Sequence, residues 1–190
     1  VGSFIDQAHR KVGAVKGSSF CIVLFGGDTA YPHGVKTPKV LEENDMVLID
    51  TGCLLHGYNS DITRSYVFGE ANDRQRAIWQ AEKAAQAAAF AAAQPGQPCE
   101  AVDRAARASL ECAGLGPEYQ LPGLPHRTGH GIGLDIHEAP YLVGGDTTLD
   151  AVVPLLEARF GAWTAPEAPA PCPEIPAEPP SHAPGTVFLH

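Results

Sequence analysis

Two carboxylates, Asp50 and Asp61, lie on either side of a Gly-containing connection in the stretch MVLIDTGCLLHGYNSDITRSYVF, residues 46–68. The β-rich runs Met46–Asp50 and Asp61–Phe68 flank that connection, which is the pattern of a hairpin. A reversal at Leu55–His56 sets Asp50 directly opposite Asp61 on one face of the sheet. Cβ atoms so opposed are roughly 4.5–5.5 Å apart, and like charges at that spacing destabilise a sheet. The pair then calls for a cation between them or for a shifted proton. Leu55–His56 is not a favoured two-residue turn, and the other reading has one Asp ending a strand and the other capping a turn.

Three histidines, His126, His130 and His137, share the segment HRTGHGIGLDIHE, residues 126–138. Glycines at 129, 131 and 133 oppose a regular helix, so the zinc-helix spacing of two histidines on one face does not apply. Glycine at alternate positions signals the close approach of a ligand or of another backbone. Imidazole mixed with carboxylate suits Mn, Fe, Co or Zn better than Mg or Ca. Any one of these histidines could be a satisfied structural residue. Three on one Gly-rich segment, in a chain that also carries Asp50 and Asp61, favour a site. His33, in the loop Tyr31-Pro32-His33-Gly34, reads from its type alone as a surface residue.

The elements that must position these residues are legible around them. Phe20–Phe25 is a continuous apolar run closed by Gly26-Gly27, which predicts a buried strand. Phe4–Val15 carries a weak amphipathic pattern, and Glu42–Asp45 reads as a turn into the hairpin. After an N-cap at Asn72 or Asp73, Ile78, Ala81, Ala85, Ala88, Ala89 and Ala92 recur at helical spacing until Pro95-Gly96. A second helix is expected over Glu100–Ala113, ended by Gly114. Both helices read as layers covering a sheet. From Leu149 the composition changes: more than half of the 17 prolines fall within 149–184. That stretch predicts an extended linker or insertion, with one short helix near 151–160. Residues 185–190 turn apolar again, as the start of a resumed strand.

A chain of 190 residues bounds the answer to one domain or a small pair, and 44% hydrophobic with 18% charged residues is ordinary for a globular protein. A formal charge of −9 argues against nucleic acid or an anionic membrane as partner. No apolar run is long enough to span a bilayer and no signal-peptide pattern begins the chain. The five cysteines, odd in number and without metal-type spacing, are expected to be reduced thiols in a cytoplasmic protein. The first residue is Val1 rather than Met, so a piece of a longer protein is an open reading.

Taken together, IDTGCLLHGYNSDITR, HRTGHGIGLDIHE and the preceding YPHG resemble the pita-bread metallopeptidases, which include aminopeptidase P, prolidase and methionine aminopeptidase. The wording DITR and HRTGHGIGL is most similar to the prolidase/aminopeptidase P branch. The resemblance implies an α+β pita-bread fold over residues 1–148 and two divalent metals, Mn first, with Co or Zn as alternatives. It implies that the metals are held by Asp, Asp, His, Glu and Glu. Asp50, Asp61 and His130 match the first three of these ligands. His33 resembles the histidine near the scissile bond, while His126 and His137 resemble those that contact substrate and steady the tetrahedral intermediate. No separate cofactor-binding residue is implied.

The same resemblance implies a peptide substrate with proline near its N-terminus, and a homo-oligomer is allowed. In the family a PGMVF-type strand then bears the first Glu ligand. Here Pro184-Gly185-Thr186-Val187-Phe188 looks like its beginning, and neither Glu has a counterpart. The expectation is a fold lacking its final metal-binding strands, holding at most one weakly bound ion, with impaired activity. Two alternatives stand beside it: a non-catalytic pita-bread binding protein, and a creatinase-like C–N hydrolase. Retention of Asp50, Asp61 and His130 argues against the second.

Overall fold

A computed structural model describes residues 1–148; the expected linker at 149–184 with its helix near 151–160, and the strand start at 185–190, lie outside the described residues. The chain divides into two compact units, Val1–Asn72 with Gly131–Ala139, and Asp73–His130 with the segment from Pro140.

The first unit holds α1 (Gly2–Lys11), β1 (Ser18–Phe25), β2 (Met46–Leu55), β3 (Tyr58–Asn59) and β4 (Ile62–Val67). Helix α1 is shorter than the pattern over Phe4–Val15 suggests. It ends with His9, Arg10 and Lys11 in its last turn, where cations oppose the negative end of the helix dipole. Asp6 ties it down, accepting the Ser18 amide at 3.0 Å and pairing with Arg10 at 2.8 Å. Strand β2 is the centre of the sheet, antiparallel to β1 along one edge and to β3 and β4 along the other. Having neighbours on both sides, it contributes the buried Val47, Leu48 and Cys53. The expectation of a buried strand at Phe20–Phe25 needs correction. β1 pairs only with β2 among the described residues, so Leu24 alone is buried and its neighbours are half-buried or exposed.

The hairpin exists, but its reversal falls one residue later than expected. Leu55 pairs with Tyr58, which leaves His56-Gly57 as the two-residue turn. Both turn residues have positive φ, +52° and +86°, as a type I′ turn requires, and glycine at the second position meets that demand at no steric cost. Moving the turn by one residue moves the pairing by two. Asp50 therefore pairs with Thr63, and Asp61, outside the β2–β4 ladder, is not its direct partner. The register thus avoids placing the two carboxylates directly opposite each other. Between β3 and β4 the ladder breaks at Ser60-Asp61. There the Ser60 carbonyl approaches Gly52 so closely that no Cβ would fit at that position.

The second unit contains α2 (Asp73–Ala92) and α3 (Cys99–Cys112). Ala81, Ala85 and Ala89 recur every fourth residue on one face of α2 and are buried against Val102, Ala106 and Leu110 of α3, with Leu115 and Leu124 closing the core. The small alanines let the two helix backbones come close, so α2 and α3 pack on one another. Cys21, Cys53 and Cys99 are thiols, whereas Cys112 is disulfide-bonded. The expectation of five reduced thiols therefore does not hold at Cys112.

One polar cluster interrupts this apolar core. Asp103 and Arg107 of α3 are 1% and 4% exposed and form a two-pronged ion pair at 2.8 and 2.9 Å. Burial pushes the Asp103 carboxyl up, but hydrogen bonds from Arg107 and Thr128, the Arg107 charge and the Tyr119 hydroxyl outweigh it and hold the group below its usual range. Beyond α3, β5 (Gly129–Gly131) and β6 (Glu138–Leu142) form a two-stranded pair.

Candidate metal centre

In the first unit, Asp50 points from β2 and is half-buried; its Oδ1 accepts the Thr63 hydroxyl at 2.9 Å. Asp61 is also half-buried and sits in the break between β3 and β4, where the backbone leaves the ladder. Ligand atoms of Asp61 and His137 lie within 4.8 Å of each other. Asn59, two residues before Asp61, explains how the chain brings His137 there. Its side chain donates to the carbonyls of Gly133 and Leu134 at 3.1 and 2.8 Å, and its backbone amide donates to Gly133 at 2.8 Å. Glu138 completes the loop by accepting the Asp135 amide at 3.0 Å, and its carboxylate fills the space a Cβ at Gly133 would need. At Gly131 the carbonyls of Glu138 and Ala139 stand where a Cβ would be, so the close neighbour expected from the alternating glycines is, at this position, another backbone. His33 is exposed in a turn closed by the Gly34 amide on the Tyr31 carbonyl at 2.9 Å. Neither His33 nor Asp50 belongs to the 4.8 Å group that includes Asp61 and His137.

In the second unit, His126 and His130 are both half-buried. The Nδ1 of His126 lies 2.8 Å from the Arg127 carbonyl. A carbonyl only accepts, so this nitrogen carries the proton, and a neutral ring then presents Nε2 as its acceptor. Upstream, Arg107 donates to the carbonyls of Glu118, Leu124 and His126 at 2.9, 2.6 and 2.8 Å. Asp103 accepts the Tyr119 hydroxyl at 3.0 Å, the Thr128 hydroxyl at 2.7 Å and the Thr128 amide at 3.3 Å.

With the geometry in place, relatives can be compared. The sequence profile of metallopeptidase family M24 matches residues 1–153. The chain belongs to metallopeptidase family M24. This M24 chain is 38% identical over 149 residues to the Xaa-Pro dipeptidase of Pyrococcus furiosus, covering 78% of this chain and 41% of that one. It is 44% identical over 145 residues to the probable dipeptidase PepE of Mycobacterium tuberculosis, covering 76% and 36%. Among solved structures, dipeptidase PepE of Mycobacterium ulcerans superposes with a TM-score of 0.71 at 38% identity, over 79% of this chain and 39% of the other. The prolidase of Pyrococcus furiosus superposes with 0.70 at 37% identity, over 78% and 42%. The fold is therefore the α+β pita-bread fold of M24 peptidases, and the chain spans about 40% of the length of the curated relatives it matches.

Membership of M24 implies divalent metal. The Asp61 carboxylate and His137 imidazole, less than 5 Å apart, are a donor mixture that fits a first-row divalent ion. No helix among the described residues is long and apolar enough to cross a membrane. Four contributors to this M24 architecture escaped the reading of the sequence. Asn59 and Thr63 flank Asp61 in YNSDIT and act through hydrogen bonds that only the register reveals. Asp103 and Arg107 stand one helical turn apart, a spacing that does not tell a buried pair from a solvated one.

Proposed function

We propose that the protein is a metal-dependent Xaa-Pro dipeptidase or aminopeptidase, hydrolysing the peptide bond next to proline. The observation that carries this reading is the meeting of Asp61 with His137 on an M24 scaffold whose relatives include Xaa-Pro dipeptidases. Asp50, Asp61 and His130 would hold the metal, with Mn preferred and Co or Zn able to substitute. When bound, the metal supplies Lewis acidity and a water acidified toward neutral pH.

The chain's own residues then have distinct tasks. Thr63 holds the Asp50 carboxylate by its Oδ1, fixing its direction from the strand. His137, exposed beside Asp61, would contact substrate and steady the tetrahedral intermediate. His126 presents Nε2 as the atom that accepts or returns a proton, because Arg127 holds the proton at Nδ1. His33, on an exposed turn, would stand near the scissile bond. The domain division at 148/149, the cytoplasmic location and a homo-oligomeric state belong to the same proposal.

Cleavage of Xaa-Pro dipeptides, and of longer peptides with proline second, tests the reading. A polypeptide that also carries the two glutamate ligands should release the N-terminal residue with Mn2+, stop when the metal is chelated, and lose about a hundred- to a thousandfold in kcat on Asp61→Asn. Equal turnover in the presence of chelator would exclude it.

A further inference from the structure

We propose that Asp103 and Arg107 are positioning residues that set the orientation of His126 and His130. Arg107 has five N–H donors, and all five are spent: two on Asp103 and one each on the carbonyls of Glu118, Leu124 and His126. Its guanidinium carbon also lies over the Tyr119 ring, 3.4 Å from the centroid. Asp103 in turn takes the Tyr119 hydroxyl on Oδ2 and both the amide and the hydroxyl of Thr128 on Oδ1. Tyr119 extends the network by accepting the Gly144 amide at 2.9 Å.

The consequence is a pinned segment. The backbone is held at His126 by Arg107 and at Thr128 by Asp103, on both sides of Arg127, from one rigid helix. His130 follows Thr128 by two residues on the strand that begins at Gly129. The chain direction into both imidazoles is thus determined by α3.

Stability alone does not explain so elaborate a group. A buried ion pair contributes little net stability compared with apolar side chains of the same volume, because desolvation consumes most of the attraction. A fully satisfied buried network does impose one geometry on everything bonded to it. Lysine at 107 would keep the charge but lose the fork and two of the donors. The functional meaning of this positioning rests on the peptidase reading, whereas the positioning itself does not.

The test uses the full chain, 15N-labelled, and reads the imidazole nitrogens of each histidine, first without metal and then with added Mn2+. Thr128→Val removes the hydroxyl donor to Asp103, Thr128→Ser restores one, and Arg107→Lys dismantles the fork. In metal-free protein, Thr128→Val and Arg107→Lys should shift or broaden the His126 and His130 signals and leave the other histidines in place, with Thr128→Ser returning to the parent spectrum. The Mn2+ response at His130 should weaken about tenfold in the first two variants, as for other residues that orient a ligand through hydrogen bonds. Unchanged His126 and His130 signals in both variants would overturn the proposal. So would a uniform change at every histidine in Thr128→Val, which would mark the network as a fold-stabilising device only. If Mn2+ leaves the parent His130 signal untouched, His130 is not a ligand in this polypeptide, and the metal-free spectra still decide the positioning.

Discussion

Glu82 shows how a single side chain can make this fold sensitive to pH. It lies half-buried on α2, and burial pushes its carboxyl up to about 7 from an ordinary 4.5. The folded state therefore binds a proton that the unfolded state has already released across that interval. Stability is full below about pH 4.5, falls as pH rises towards 7, and is level above. The loss should amount to about 1–3 kcal/mol, and Glu82→Gln should remove it, giving urea midpoints that no longer drop between pH 5 and pH 8. Asp103 runs the other way. Its carboxyl is held low by Arg107 and Thr128 against the cost of burial, so its contribution is present at neutral pH and is lost as acid protonates it. At this scale the types of the candidate site residues were legible, because Asp50, Asp61 and the histidines of HRTGHGIGLDIHE stand in wording that few sequences share. The supporting residues were not. Asp103 and Arg107 at helical spacing look identical whether solvent or a core surrounds them, and only tertiary packing decides between the two.

Among the elements, the β2–β3 reversal is where local chemistry and register meet. Gly57 has φ of +86°, and a Cβ there would touch nothing within 4 Å. Gly57→Ala should therefore cost about 1–2 kcal/mol from backbone strain alone, read as a lower denaturation midpoint with unchanged slope. Gly52→Ala should be worse, since there a Cβ would collide with the Ser60 carbonyl and the Phe20 ring. The helices were readable almost to the residue, α3 beginning one position before the expected Glu100 and ending one before Ala113. The hairpin was readable as a hairpin but not in its register. Leu55-His56 and His56-Gly57 differ by a single step, and only the second places glycine where positive φ falls. That step determines whether Asp50 faces Asp61 or Thr63.

At the scale of the molecule, the number of ions held should follow from the number of carboxylates supplied. A polypeptide of just these 190 residues offers three of the five ligands the family resemblance implies. Two cations a few ångströms apart repel, and without the two glutamates that repulsion is not offset. Calorimetric titration of this polypeptide with Mn2+ should show at most one weak site and little Xaa-Pro cleavage. A polypeptide extended through strands bearing both glutamates should show two sites and turnover. Two tight sites in the shorter polypeptide would mean that other residues complete the centre.

The Asn59 clasp has a temporal side. Asn59 and its acceptor Gly133 are separated by 74 positions in the chain. At about 5–20 residues per second, a ribosome needs roughly 4–15 s to make that interval. The β2–β3 turn can close within microseconds of leaving the exit tunnel. Asp61 is thus presented on a formed hairpin long before the loop that carries His137 has been synthesised. Competence arrives last, as a long-range closure onto a scaffold already in place, and amide protection at Asn59 should appear in the slowest phase of refolding.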